Sequence, residues 1–397
     1  MTITVVGIGA DGWDGLSAAA RRAVAEAEVV LGSARQLALL PPSEARHVAW
    51  PSPMLPAVEP LLAEHAGRRV CVLASGDPML FGIGGTLVRL LGASALRVVP
   101  HPSSVSLACA RLGWPAEDVD VVSLVGRPVE SLVVTPNRRV LVLSADGETP
   151  GRVAELLCAK GFGPTAMTVL EELGGPGERR WDGTAVTWSG SSGGLNLVAL
   201  DCRVEPGVSP LGRGFGLPDE VFEHDGQLTK REVRAVTLAA LRPLPGQLLW
   251  DVGAGAGSVG IEWMRSHPSC RAVAVEAVGE RAARIERNAR ALGVPALTVV
   301  TGRAPAALAD LPRPDAVFVG GGVTGEGVLE ACWAALPAGG RLVANAVTLE
   351  SEAVLARWQR AVGGALTRVE ISRAGPVGGL TGWRPMMPVT LWEVART

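Results

Sequence analysis

Short apolar runs alternate with stretches of helical spacing almost from end to end of this chain, a pattern that admits little besides α/β architecture built on parallel sheets. In the first half, strands are predicted at Ile3–Ile8, Val70–Ala74, Leu96–Val99, Val119–Leu124, Val140–Leu143, Met167–Leu170 and Leu195–Leu200, with helices at Ser17–Glu26, Ser104–Leu112 and Arg152–Ala159. The alternation lapses once, in CRVEPGVSPLGRGFGLPDEVFEHDGQ, where Gly and Pro abound and no period survives. Such a stretch reads as a connection between domains, and the expected division is 1–211 and 212–397. The pattern then resumes with helix Lys230–Leu241, strand Gln247–Val252, helix Ser258–Arg265, strand Ala272–Glu276, helix Glu280–Leu292 and strand Leu297–Val300. Helix Ala304–Leu311, strand Asp315–Val319, helix Gly325–Ala335, strand Arg341–Ala344 and helix Leu349–Val362 follow. The closing strands Ala365–Ile371 and Pro388–Val394 have no helix between them, which predicts an antiparallel edge hairpin on a doubly wound sheet.

At 397 residues the chain exceeds what one hydrophobic core ordinarily serves, and a composition 48% hydrophobic and 19% charged argues against disorder. No apolar run approaches the ~20 residues a membrane span needs. MTITVVGIGADG opens a strand rather than a basic leader, so a cytoplasmic protein is expected. A net charge of −2 supplies no field for nucleic acid or anionic membranes, and neither is an expected partner. An anionic small molecule would have to be met by local arginines. Cys71, Cys109, Cys158, Cys202, Cys270 and Cys332 form no CxxC pair and no metal-ligand spacing with histidine, so reduced thiols and no metal are expected. Lysine occurs only at Lys160 and Lys230, in a chain otherwise supplied with arginine, and this lends Lys230 weight as a functional residue.

LLWDVGAGAGSVGIEW places Asp251, Gly253, Ala254, Gly255, Ala256 and Gly257 where a strand of a Rossmann-like sheet hands over to a helix, the position at which open α/β sheets bind ligands. Glycines there let backbone approach a ligand and aim helix N–H groups into the crevice. Glu276 ends the next strand, within reach of both ribose hydroxyls of a nucleoside. Gly255, Gly257 and Gly260 also satisfy the dinucleotide fingerprint, so NAD is the rival ligand. Asp251 favours S-adenosylmethionine (SAM) instead: a carboxylate repels pyrophosphate but suits a ligand with an ammonium and a sulfonium. The turns Thr301–Pro305 and Gly320–Val323 reach the same edge, and so does Asn345.

In the first half, VVGIGADG, ASGDPMLFGIG and PHPSSVSLACARLG are three strand-to-helix loops in order. Together they resemble the tetrapyrrole methylase family, which implies SAM held in a cleft between two α/β subdomains. From residue 217, LPDEVFEHDGQLTKREVRAVTLAAL followed by DVGAGAGSVGIE is similar to the decarboxylating methylase domain of corrin biosynthesis. Position by position, the resemblance implies SAM contacts at Gly9, Gly76, Asp77, Pro78, Phe81 and Ser104, and in the second half at Thr229, Gly253 through Gly257, Glu276 and Ala304. Phe81 stands where the family usually has Tyr, His101-Pro102-Ser103 where it has a Gly, and Arg303 where an acidic residue is common. The implied function is methylation of precorrin-6Y at C15 with loss of the C12 acetate's carboxyl in the second half, and at C5 in the first. S-adenosylhomocysteine is the implied by-product, and a homo-oligomer is expected.

Methyl transfer from a sulfonium is an in-line displacement and asks chiefly for alignment and exclusion of water. A substrate with several carboxylates asks for cations, and Arg213, Lys230, Arg231, Arg234 and Arg384 are candidates, with Asn345 as a neutral contact. His101 and His224 are candidates for proton transfer, with no catalytic residue singled out. Gly190, Ser192 and Gly194 match a nucleophile elbow, but a strand follows where a helix is required. Rival readings are a methylase of another tetrapyrrole or of RNA, and a SAM-binding regulatory protein without turnover.

Overall fold

The computed structural model describes residues 3–397, which divide into two compact units: Glu130–Val133 with Leu211–Thr397, and the remainder of the chain up to Pro210. Within the first unit, β1 (Ile3–Ile8), β2 (Val29–Gly32), β3 (Arg46–Ala49), β4 (Val70–Ser75) and β5 (Leu96–Val99) form an all-parallel sheet in the order β3-β2-β4-β1-β5. A second sheet of the same unit contains β6 (Val119–Ser123), β7 (Arg139–Leu143), β8 (Ala166–Glu171), β9 (Arg179–Thr184) and β10 (Asn196–Asp201). Its order is β6-β7-β10-β8-β9, with only β6 and β7 parallel. The N-terminal half thus has the expected two α/β layers. The strands missed from the sequence are β2, β3 and β9. The four residues of β2 are too few to show a period, while β3 and β9 sit at sheet edges with largely exposed side chains and are held by backbone pairing.

The second unit is one sheet of β11 (Leu248–Val252), β12 (Arg271–Glu276), β13 (Thr298–Thr301), β14 (Ala316–Val319), β15 (Arg341–Ala346), β16 (Ala365–Val369) and, after the hairpin β17 (Ser372–Val377) and β18 (Leu380–Pro385), β19 (Val389–Ala395). Its order is β13-β12-β11-β14-β15-β19-β16, parallel as far as β15 and antiparallel on both sides of β19. All five β11 residues are buried, because helices cover both faces. Leu249 packs in one core with Phe318 and Trp263, while Leu248, Trp250 and Val252 pack in the other with Val317 and Trp392.

Three sequence expectations need correction. The helix expected at Ala304–Leu311 is a single 3-10 turn, Ala306–Leu308, since Pro305 and Pro312 bracket a segment too short to sustain an α-helix. The helix expected from Gly325 begins at Val328, after Gly327 adopts a left-handed φ of 76°. The closing strands do pair antiparallel, but β17 and β18 form an additional hairpin between them, turning through Gly378 and Gly379. Among the described residues no helix is long and apolar enough to cross a membrane, and no His/Cys/Asp/Glu group could hold a metal.

Candidate functional sites

In the second unit a cavity of about 900 Å³ opens at the carboxyl ends of β11, β12, β14 and β15, with Gly253, Ala254, Gly255, Glu276, Ala304, Gly321 and Asn345 on its wall. Gly253 and Gly255 adopt φ of 69° and 60°, and a Cβ on Gly253 would lie 2.6 Å from the Gly321 carbonyl oxygen. Only glycine allows these two turns to lie against each other. The loop's N–H groups are not left free, contrary to the sequence expectation. Those of Gly253 and Ala254 donate to the Val275 carbonyl at 2.9 and 3.2 Å, and that of Gly255 donates to Glu276 Oε2 at 2.8 Å. Glu276 Oε1 accepts from the Val278 N–H at 3.0 Å, so its carboxylate is fixed at the cavity wall with lone pairs to spare.

Asp251 lies beneath this loop, 1% exposed and off the cavity wall. Its Oδ2 accepts from the Gly260 N–H at 2.9 Å, while Oδ1 has no partner among the described residues. Burial, reinforced by the nearby Glu276 charge, pushes this carboxyl up to about 7. Asp251 is therefore placed beneath the loop rather than in contact with the cavity. Ala256 and Gly257 are likewise buried behind the wall, where a Cβ on Gly257 would meet the Ile285 side chain at 2.6 Å.

Thr229 and Lys230 join the wall from the start of helix Arg231–Leu241. Asn345 is braced by Thr237, whose hydroxyl accepts its amide N–H at 3.0 Å, and its Oδ1 is buried with no partner among the described residues. The other cationic candidates stand elsewhere. Arg234 is fully buried, bonded to Glu262 at 2.6 Å, to Asp219 at 3.2 Å and to the Leu217 and Thr229 carbonyls, so it ties elements together and cannot meet substrate. Arg384 lies on the β17–β18 hairpin and donates to the Pro376 carbonyl at 2.6 Å, away from the cavity wall. Arg213, Arg231 and His224 are exposed and also off the wall.

In the first unit a cleft of about 410 Å³ is lined by residues of both sheets, among them Gly9, Gly76, Phe81 and Ser104 from the three sequence loops. The loops interlock: the Gly76 N–H donates to the Ile8 carbonyl at 3.0 Å, and a Cβ on Gly9 would meet His101 Nε2 at 2.7 Å. Phe81 holds a φ of 52°, a costly conformation for an aromatic residue and one that clusters at binding sites. Asp77 and Pro78 do not line the cleft; Asp77 Oδ1 accepts from the Met79 N–H at 2.8 Å and shapes the loop from behind. His101 is also off the wall, 3.2 Å from Asp11. The sequence reading missed Arg35 and Glu172, the charged residues of the cleft lining. Ser33 and Gln36, a capping box straight after β2, were the available signal.

Comparison with known proteins matches the two halves of the chain to two different family models. Residues 2–187 match the model of tetrapyrrole (corrin/porphyrin) methylases, and residues 220–396 match that of a precorrin methyltransferase domain. A Sinorhizobium protein, precorrin-6Y C(5,15)-methyltransferase (decarboxylating), is 51% identical over 98% of this chain and 95% of its own length. Two shorter relatives match less than half of the chain. Cobalt-precorrin-7 C(5)-methyltransferase of Salmonella typhimurium is 31% identical over 45% of this chain and 88% of itself. A probable cobalt-precorrin-6B C(15)-methyltransferase (decarboxylating) of Pyrobaculum calidifontis is 37% identical over 44% of this chain and 92% of itself.

Proposed function

The chain belongs to the family of precorrin-6Y C(5,15)-methyltransferases (decarboxylating), and on that premise we propose that it methylates precorrin-6Y at C5 in the first unit and at C15 in the second. The second unit also releases the C12 acetate's carboxyl as carbon dioxide, and each unit holds its own SAM. Separate relatives named for one carbon each support this division of labour.

The observation that carries the SAM reading of the second cavity is the Glu276 carboxylate seated on the Gly255 N–H. A pyrophosphate would need that amide and would meet a negative charge in its place, whereas ribose hydroxyls donate to the same carboxylate. Glycine at 253 and 255 lets this turn pack closely against Gly321 and Gln227 at the cavity wall, which a larger residue would displace. When bound, SAM supplies an electrophilic methyl on a sulfonium. The chain's own task is to hold the attacking meso carbon in line, keep water out and fix the substrate's polar edge. In the second unit Lys230 and Asn345 serve that last role, the first toward a carboxylate and the second through its unpartnered amide oxygen. Decarboxylation breaks a carbon–carbon bond, sends the electron pair into the conjugated macrocycle and takes up a proton at the carbon left behind.

Gly253→Ala and Gly76→Ala in the full chain test the proposal. With precorrin-6Y and SAM, Gly253→Ala should abolish C15 methylation and carbon dioxide release, and Gly76→Ala should abolish C5 methylation while sparing the C15 steps. Loss of both methylations from either substitution in a folded protein would refute separate sites.

A further inference from the structure

We propose that Arg35 and Ser75, at one end of the N-terminal cleft, form a carboxylate-binding site that takes an acetate or propionate arm of the tetrapyrrole. The proposal deepens the functional reading above and rests on it.

Arg35 Nη2 donates to Ser75 Oγ at 3.2 Å, and Gln36 Nε2 donates to the same oxygen at 3.1 Å. Gln36 is itself clamped, its Oε1 accepting the Ser33 N–H at 2.8 Å and its N–H donating to Ser33 Oγ at 3.2 Å. The Ser75 oxygen thus accepts two hydrogen bonds, and among the described residues its own O–H finds no acceptor. Among the described residues Arg35 has no carboxylate within ion-pair distance and uses one side-chain hydrogen bond, so a guanidinium edge and a hydroxyl proton are both left as donors on the cleft wall. That set is the complement of a carboxylate, and a guanidinium can grip one with two parallel bonds.

The cleft's composition sharpens the point. Of its lining residues only Arg35 and Glu172 are charged, and the rest of the wall is largely aliphatic, with Trp50 and Met54 beside Arg35. A macrocycle carrying several carboxylates would find one cation there, so one arm is fixed and the ring takes a defined orientation. Glu172 repels the other arms and stands where its charge favours the Arg35 cation.

SAM has a carboxylate too, and the place of Arg35 in the sheet order favours the tetrapyrrole as the source. The loops that resemblance assigns to SAM follow β1, β4 and β5, whereas Arg35 follows β2, on the other side of β4. With strands about 4.8 Å apart, β2 lies roughly 10 Å from β1 and roughly 14 Å from β5. Arg35 therefore sits on the flank of the cleft away from the β1 and β5 loops, while Ser75, at the end of β4, borders the loop assigned to SAM, so a tetrapyrrole arm held there lies beside the donor.

Arg35→Ala, Arg35→Lys and Ser75→Ala in the full chain, assayed with precorrin-6Y and SAM, provide the test. Arg35→Ala should raise KM for the tetrapyrrole in C5 methylation about 10- to 100-fold. Arg35→Lys should recover part of that loss, and Ser75→Ala should give a smaller rise, with C15 methylation unchanged. Calorimetric affinity for S-adenosylhomocysteine should stay at the wild-type value in all three. A KM unmoved by Arg35→Ala overturns the proposal, and a fall in donor affinity overturns it in favour of SAM's own carboxylate. A wild-type chain that forms no C5-methylated product would refute the functional reading separately. The carboxylate site would then be decided by spectral titration with the tetrapyrrole, in which Arg35→Ala must bind more weakly than wild type.

Discussion

Asp251 is buried in the second unit at an electrostatic cost. Its folded-state pKa, about 7, lies above the ordinary 3.8 because burial penalises the charge. A carboxyl raised in this way contributes fully to stability below its unfolded value, and the contribution drains away as pH climbs through that window to about 7. Asp251→Asn should therefore stabilise the protein at pH 8 by up to about 4 kcal/mol and by only about 1 kcal/mol at pH 4.5. Urea unfolding at the two pH values checks this, and an equal effect at both would contradict the assigned cause. At this scale, legibility from sequence was uneven. An acid ending the strand after the glycine loop announced Glu276, because strand ends and helix starts converge on one crevice whatever the details. Whether a charged side chain faces a cavity or a core depends on packing from segments far away. For that reason Asp251 and Arg234 were placed in the site from sequence and lie beneath it or outside it, while Arg35 went unremarked.

Among elements, helix Arg231–Leu241 is the one whose removal would undo the second site, since it supplies Lys230 to the cavity wall at its start and braces Asn345 through Thr237. Arg234 fixes that helix to Glu262 on helix Ser258–Ser266 and to the segment around Asp219. Removing one member of a buried ionic cluster strands its partners, so Arg234→Ala should cost about 3–5 kcal/mol. Arg231→Ala, three residues earlier and exposed, should stay within about 0.5 kcal/mol. Thermal unfolding of both variants separates an anchoring role from a general charge effect, and similar losses would refute it. The βα units of this half were readable because buried parallel strands are continuous apolar runs and their helices are amphipathic. The β17–β18 hairpin was not: its glycine-rich, exposed strands are specified by backbone pairing with each other and carry no apolar period.

For the molecule as a whole, two differently built sheets each end in glycine turns beside a cavity. The first unit gathers its cleft from the segments after β1, β2, β4 and β5 of its all-parallel sheet together with residues of its second sheet. The second unit gathers its cavity at the β11–β14 reversal of strand order, the usual ligand position in doubly wound sheets. The fold class was legible from alternation alone, and the loops of both sites from their glycines; the carbon atoms methylated rest on family membership. Titrating the full chain with S-adenosylhomocysteine in a calorimeter tests the central claim most directly. Two equivalents should bind, falling to one in Gly76→Ala and to one in Gly253→Ala. A single equivalent in the wild type, or binding of NADH in the cavity beside Glu276, would contradict it.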